Sequence, residues 1–198
     1  MPSPIGHVLA GVAAAWTADL VPGHRTWRTA PNSASFYRRA GNGLTLVCAA
    51  LGPAPDLDLL FMRHRTATHS IGAVIFVGLF AAALAANARR PIARVALMCA
   101  AAYATHLLLD WLGADTFKPY GLQAFWPFSA SWYISGFTIF RQTARLQFLT
   151  PPIIQQNVIA VAQEIVILGP TVVALWRVRV KALTGLAAEL PRGDHPAQ

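Results

Sequence analysis

Five apolar stretches alternate with polar breaks along the chain, at about residues 5 to 21, 43 to 52, 69 to 87, 92 to 112 and 152 to 176, and each reads as helix. Crossing a bilayer takes roughly 20 residues of helix, with about 17 the usual minimum. The third, fourth and fifth stretches meet that length. The first is marginal because Asp19 interrupts it, and the second stops too early, at "GPAP". Pro53 and Pro55 lack an N–H and disfavour helix at the residue before them, so a break is predicted there with "DLDLLF" continuing as irregular backbone. Such backbone is tolerated at membrane depth only where it lines a polar cavity or packs on protein, which predicts Asp56 and Asp58 below the lipid surface. Residues 113 to 150 carry six Phe, two Trp and two Tyr among small polar residues. That mixture predicts an interfacial aromatic loop or short hairpin, with Trp126 and Trp132 at headgroup level. The expected fold is all-α: one domain over residues 1 to 184, a multi-pass transmembrane bundle of about four to five hydrophobic helices, then a disordered tail over 185 to 198.

Composition strengthens this picture. The 198 residues are 55% hydrophobic and only 12% charged, against about 25% charged in a soluble domain. "MPSPIGHVLAGVAAAW" has no Lys or Arg ahead of its apolar run, so it reads as a retained first helix and not a cleaved signal. Cys48 and Cys99 lie within apolar runs and are expected as small core residues. A net charge of +8 and a pI near 10.5 would also suit a nucleic-acid binder, so the placement of the charges decides. Threading the stretches in alternating directions puts Arg63, Arg65, Lys118, Arg141 and Arg145 on one face and the other eleven of the sixteen basic residues on the opposite one. The richer face should be cytoplasmic, and the high pI needs no nucleic acid.

The same threading concentrates the polar residues. His7 opens the first stretch, Asp56 and Asp58 come after the second, His64 and His69 precede or open the third, and His106 and Asp110 close the fourth. All seven fall at one membrane face, the one with fewer basic residues. "HLLLD" sets His106 and Asp110 at i and i+4, on one helical side and about 5 to 6 Å apart at Cβ, a workable metal-ligand spacing. Ionisable groups near apolar spans are costly unless paired, hydrated or metal-bound, so their convergence marks a candidate site.

Taken singly, several have plainer explanations. His7 fits an interfacial histidine, Asp56 and Asp58 a solvated turn, and "RHR" around His64 a basic cap facing headgroups. His106 with Asp110, inside "AAYATHLLLDWL", resists such an explanation. His24 and His195 fall on the opposite face or in the tail and receive no role. Glu164, in mid-span, is expected to pack by hydrogen bonding among Gln155, Gln156 and Gln163, with support of the metal ligands as the alternative. Two other classes suit these residues less well. A haem protein would want facing axial histidines without three carboxylates beside them, and a metal transporter would need a polar path beyond Glu164 and Asp19.

"GH", "PDLD", "HRTATHS" and "HLLLD" followed by "YGLQAFWPFS", in that order over roughly residues 5 to 130, resemble the YdjM-type family of membrane-bound metal-dependent hydrolases. Thr66 stands where that family usually has glycine, and "LGADTFKPYG" replaces its usual small polar run. More distantly, "ATHS" and "HLLLD" resemble the zinc-dependent phospholipase C and P1 nuclease group, although no further His or HxxxE comes after Asp110 to hold a third metal. The resemblance implies an inner (plasma) membrane protein with a metal site built from His7, Asp56, Asp58, His64, His69, His106 and Asp110.

Mixed imidazole and carboxylate ligands without a thiolate suit zinc, manganese, iron or nickel, and one or two divalent ions per chain are expected, zinc first and manganese second. Metals bridged by a carboxylate such as Asp56 acidify water and clamp a phosphoryl or carbonyl oxygen. His7, His64, His69, His106 and Asp110 are expected as further ligands. Asp58 is expected to orient or deprotonate the attacking water, with Asp56 able to exchange roles with it. Arg63 and Arg65 are expected to bind a substrate phosphate. A recessed site at the extracytoplasmic face predicts the bilayer as partner and a lipid or lipid-linked phosphate as substrate. The alternative is a non-enzymatic metal-binding or metal-transporting membrane protein.

Overall fold

The computed structural model describes residues 1–20, 43–61 and 64–189, and these form helices joined by irregular segments, without a β-strand. The helices are α1 (Pro4–Asp19), α2 (Gly43–Leu51), α3 (Ile71–Asn87), α4 (Ile92–Trp111) and α5 (Pro151–Glu189). Residues 190–198, most of the tail expected to be disordered, lie outside the described residues, as do Arg63, His24 and His195.

Among the described residues, two helices are long and apolar enough to cross a membrane, Ile92–Trp111 and the Pro151–Lys181 part of α5. A third crossing is available if α2 and the short coil after it, which meet at 47°, form one broken span. α1 and α3 are shorter apolar helices, so length and composition alone give two to three candidate spans among the described residues, against the four to five expected.

α2 ends at the predicted prolines, but the chain beyond them is not irregular. Ala54–Phe61 is a 3₁₀ helix. The prolines end the i→i−4 ladder, and the backbone continues with tighter i→i+3 bonds, the first from the Asp56 N–H to the Pro53 carbonyl at 3.1 Å. This tight coil carries Asp56 and Asp58.

α1 sits centrally, packed on α2, α4 and α5, while α3 packs on α4. Small residues make the α1–α2 contact close: a Cβ at Gly11 would lie 2.5 Å from the Cys48 carbonyl oxygen, and one at Gly52 only 2.2 Å from that of His7. Ala15, Cys48, Met98 and Ala102 form one buried cluster, and Cys48 and Cys99 are small core residues outside any disulfide, as expected. The close contact also brings Gly52, and the 3₁₀ coil that starts just beyond it, to the level of His7.

The 113–150 segment is a loop with only two isolated bridges, Leu122 paired antiparallel to Tyr133 and Gly113 parallel to Phe140. It exposes Phe117, Phe125, Phe128, Phe137, Leu146 and Phe148, the aromatic surface predicted for an interfacial loop. Trp126 is exposed. Trp132 is half-buried with the Arg65 guanidinium over its ring at 5.9 Å, which gives it a partner inside the protein.

Candidate metal centre

Four segments converge at one end of the bundle. The N-terminal turn of α1 supplies His7, the 3₁₀ coil Asp56 and Asp58, the loop before α3 His64 and His69, and the last turns of α4 His106 and Asp110. His7, His69 and His106 are completely buried and Asp110 nearly so. Among the described residues, two groups hold their ligand atoms within 4.8 Å of one another: His7, His106 and Asp110, and Asp56, His64 and His69.

The two groups share one pocket. His106 Nε2 lies 3.0 Å from His69 Nε2, 3.2 Å from Asp110 Oδ2 and 3.7 Å from Asp56 Oδ1. His69 Nε2 lies 3.5 Å from Asp110 Oδ2 and 3.7 Å from Asp56 Oδ1. His7 stacks on His106 with ring centroids 3.7 Å apart and faces Asp110 Oδ1 at 3.5 Å. His106 and Asp110 thus meet across the one turn that "HLLLD" predicts.

The imidazoles are oriented from behind. His106 donates its Nδ1–H to the Gly52 carbonyl at 2.8 Å, leaving Nε2 with its lone pair toward the cluster. His64 donates from Nδ1 to Asp58 Oδ1 at 2.8 Å, and His69 Nδ1 lies 3.2 Å from Asp58 Oδ2. Thr68 Oγ1 donates to Asp58 Oδ2 at 2.6 Å, and the Arg65 backbone N–H reaches the same oxygen at 3.1 Å. Both oxygens of Asp58 are therefore occupied behind the histidines. Carboxylate–histidine pairs of this kind fix tautomer and ring direction at metal sites.

Electrostatics match the same geometry. Burial pulls the His69 imidazole down, but the Asp56 and Asp58 carboxylates outweigh it and push its pKa up to about 9. In its protonated form it carries an N–H on each nitrogen, Nδ1 facing Asp58 Oδ2 at 3.2 Å and Nε2 donating to His106 Nε2 at 3.0 Å. His64, less enclosed, is lowered by burial and stays neutral.

The donor set fits a divalent cation. Both ring nitrogens of His7, Oδ1 of Asp56 and both oxygens of Asp110 are buried without a hydrogen-bond partner. Orphaned polar atoms are rare in folded proteins because each costs about 1–3 kcal/mol. The lone pairs among them, one on His7, one on Asp56 Oδ1 and those of both Asp110 oxygens, surround one pocket on ligand-type residues and are what one or two cations would satisfy.

Surrounding segments hold the pieces in place. Glu164 of α5 accepts from the Ser3 hydroxyl, from the Ser3 N–H at 2.6 Å and from the Gly6 N–H at 3.1 Å, capping the helix end that carries His7. It packs by hydrogen bonding as expected, but with α1; Gln156 and Gln163 instead bind the backbone of residues 139–142. Tyr103 donates to the Thr68 carbonyl at 2.7 Å. Arg65, with a left-handed φ of 67°, is tied to Asp115 and reaches the Phe117 carbonyl at 3.4 Å. Its guanidinium is thus engaged by the protein.

Sequence spacing gave no sign of Gly52, Asp115 or Arg145. Arg145 donates from Nη1 to His64 Nε2 at 3.0 Å and lies 3.6 Å from Asp56 Oδ1. Only the fold brings it across 81 residues to the rim of the cluster.

Comparison with curated proteins and with solved structures finds no match. A family model, described as YdjM inner membrane protein, matches residues 1–184 and so takes in every residue of the cluster. The chain belongs to the YdjM inner membrane protein family.

Proposed function

We propose that the protein is a membrane-bound metal-dependent hydrolase, cleaving an ester or phosphoester bond in an amphiphilic or lipid-linked substrate. The observation that carries this reading is the set of orphaned ligand atoms on His7, Asp56 and Asp110 facing His69 and His106 in one buried pocket. His7, His106 and Asp110 would hold one divalent ion, zinc or manganese, and Asp56, His64 and His69 would hold a second. Bound there, such an ion polarises an ester or phosphoryl oxygen and acidifies water. Asp58 orients His64 and His69, because both its oxygens are already engaged. Asp56 would meet the second ion through Oδ1, which has no hydrogen-bond partner here, leaving its other carboxylate oxygen to accept the water proton. α1 and α3 complete a multi-pass bundle of four to five apolar helices. The bias of basic residues toward the opposite end, including Arg89, Arg90 and Arg177, supports an extracytoplasmic cluster.

Metal analysis of detergent-purified protein and turnover of phospholipids and isoprenoid phosphates in mixed micelles test the reading. One or two zinc or manganese ions per chain are expected, lost in His106→Ala and Asp110→Ala and kept in His24→Ala, with hydrolysis that stops on chelation. Absence of bound metal overturns it. Metal without turnover on any ester leaves a non-enzymatic metal-binding membrane protein.

A further inference from the structure

Beside the cluster lies a cavity of about 540 Å³ whose wall includes Leu59, His64, Arg65, Arg145, Leu146 and Ile153. Its lining combines charged and polar side chains with apolar ones such as Leu59, Leu146 and Ile153. Two guanidinium groups border it, and they differ. Arg65 is neutralised by Asp115, bonded to the Phe117 carbonyl and covered by Trp132. Arg145 has its side chain 38% exposed and contacts the cluster itself, at His64 Nε2 and Asp56 Oδ1, with a further contact from Nη2 to Met1 Sδ at 3.7 Å.

The backbone that carries Arg145 is held firmly. Asn157 of α5 clamps Ala144 in both directions, accepting its N–H at 2.7 Å and donating to its carbonyl at 2.9 Å. Thr143 is bonded to the Met1 carbonyl through its N–H and its hydroxyl. A long exposed side chain on an anchored backbone swings about a fixed point.

His64 can serve one acceptor direction at a time. Its Nδ1–H is committed to Asp58, so Nε2 offers a single lone pair, and Arg145 now takes it. A cation ligated by His64 would need that same lone pair and would repel the guanidinium. Arg145 and the metal are therefore alternatives at His64.

Resting on the metal-centre reading above, we propose that Arg145 is the anion-recognition residue of this site. Loading of the cluster with metal releases its guanidinium from His64 into the cavity, where it binds the phosphate-type headgroup of an amphiphile whose chain lies along Leu59, Leu146 and Ile153. Arg65, expected from sequence to bind phosphate, instead braces the loop between Asp58 and His69. A guanidinium matches two phosphate oxygens at once, and the apolar wall distinguishes an alkyl phosphate from the free ion.

The test measures binding of dodecyl phosphate, inorganic phosphate and the uncharged dodecyl maltoside to the full chain, by calorimetry, with and without zinc, alongside the zinc content of each sample. Zinc-loaded protein should bind dodecyl phosphate at least about tenfold more tightly than metal-free protein, and more tightly than either other probe. Arg145→Ala should lose roughly 10- to 100-fold in that affinity, the range of a charge-assisted contact, with zinc content unchanged. Arg141→Ala, a nearby exposed arginine, should bind as wild type. Should Arg145→Ala not fold, Arg145→Gln carries the same comparison. Full zinc content with undiminished dodecyl phosphate binding in the Arg145 variant overturns this proposal and leaves the metal centre standing; tight inorganic phosphate binding equal to that of dodecyl phosphate overturns the amphiphile; zinc absent from every sample overturns the metal centre first.

Discussion

Gly52 serves His106 and His7 at once: its carbonyl accepts the Nδ1–H of His106 at 2.8 Å, and its Cα lies so near the His7 carbonyl that a Cβ would sit 2.2 Å from that oxygen. One glycine therefore sets the direction of one imidazole and the depth of another. Gly52→Ala should push α1 away from α2, costing about 1–3 kcal/mol of stability as overpacking does. Zinc affinity should fall more than about tenfold, since both histidines move. Thermal unfolding in detergent and a zinc competition titration measure the two effects; wild-type affinity in a destabilised variant would show that the close approach serves packing alone.

Asp58 supports ligands, so its removal should be felt first in metal binding. Asp58→Asn can still accept from one histidine but presents an N–H to the other, and zinc affinity should drop roughly 10- to 100-fold. Rate measured at saturating zinc should recover substantially. Full zinc retention with a rate loss of about 10²-fold or more would instead return Asp58 to the water as general base.

Proton and metal compete at His69. Its pKa of about 9 in the metal-free fold lies above the ordinary value of 6.5, so the protonated form contributes stability that is fully present below pH 6.5 and is lost as pH rises through about 9. Ligation requires that proton to leave. Apparent zinc affinity should accordingly rise with pH, by up to about tenfold per unit between about pH 6 and 8, with close to one proton released per chain from this residue. Calorimetry in two buffers of different ionisation enthalpy counts the proton, and pH-independent affinity would contradict the His69 charge state.

Topology reporters check the orientation. A reporter at Tyr120 should lie outside and one at Arg90 in the cytoplasm, because these positions fall at opposite ends of α4, with the basic residues gathered at the Arg90 end. Reporters on the same side would remove the shared-face relationship between α4 and the cluster.

Much of the site was legible because its elements depend on local chemistry. The i and i+4 pair His106 and Asp110 needs only a helix to meet, and Pro53 and Pro55 mark a break wherever they fall. What lay between the marks was less legible. "DLDLLF" coils as a 3₁₀ helix because two missing donors shift the bonding from i→i−4 to i→i+3, and the apolar pattern of so short a run does not separate the two. Trp132 reads as a membrane anchor until Arg65 is placed over it. Glu164 reads as a mid-span carboxylate among glutamines until α5 is laid against Ser3 and Gly6.

By itself the sequence determined an all-helical apolar chain, the location of its break, and the residues that carry ionisable chemistry, since each depends on composition and short-range periodicity. The tertiary structure decided which atoms face inward. Asp56 and Asp58 are two residues apart on the same coil, yet Asp58 is enclosed by His64, Thr68 and His69 while Asp56 keeps a bare oxygen toward the pocket. Arg65 and Arg145 carry the same charge, yet Asp115 neutralises one and the other meets the cluster. Such differences are set by packing between segments tens of residues apart, and ligand direction in a low-dielectric pocket is a property of that packing.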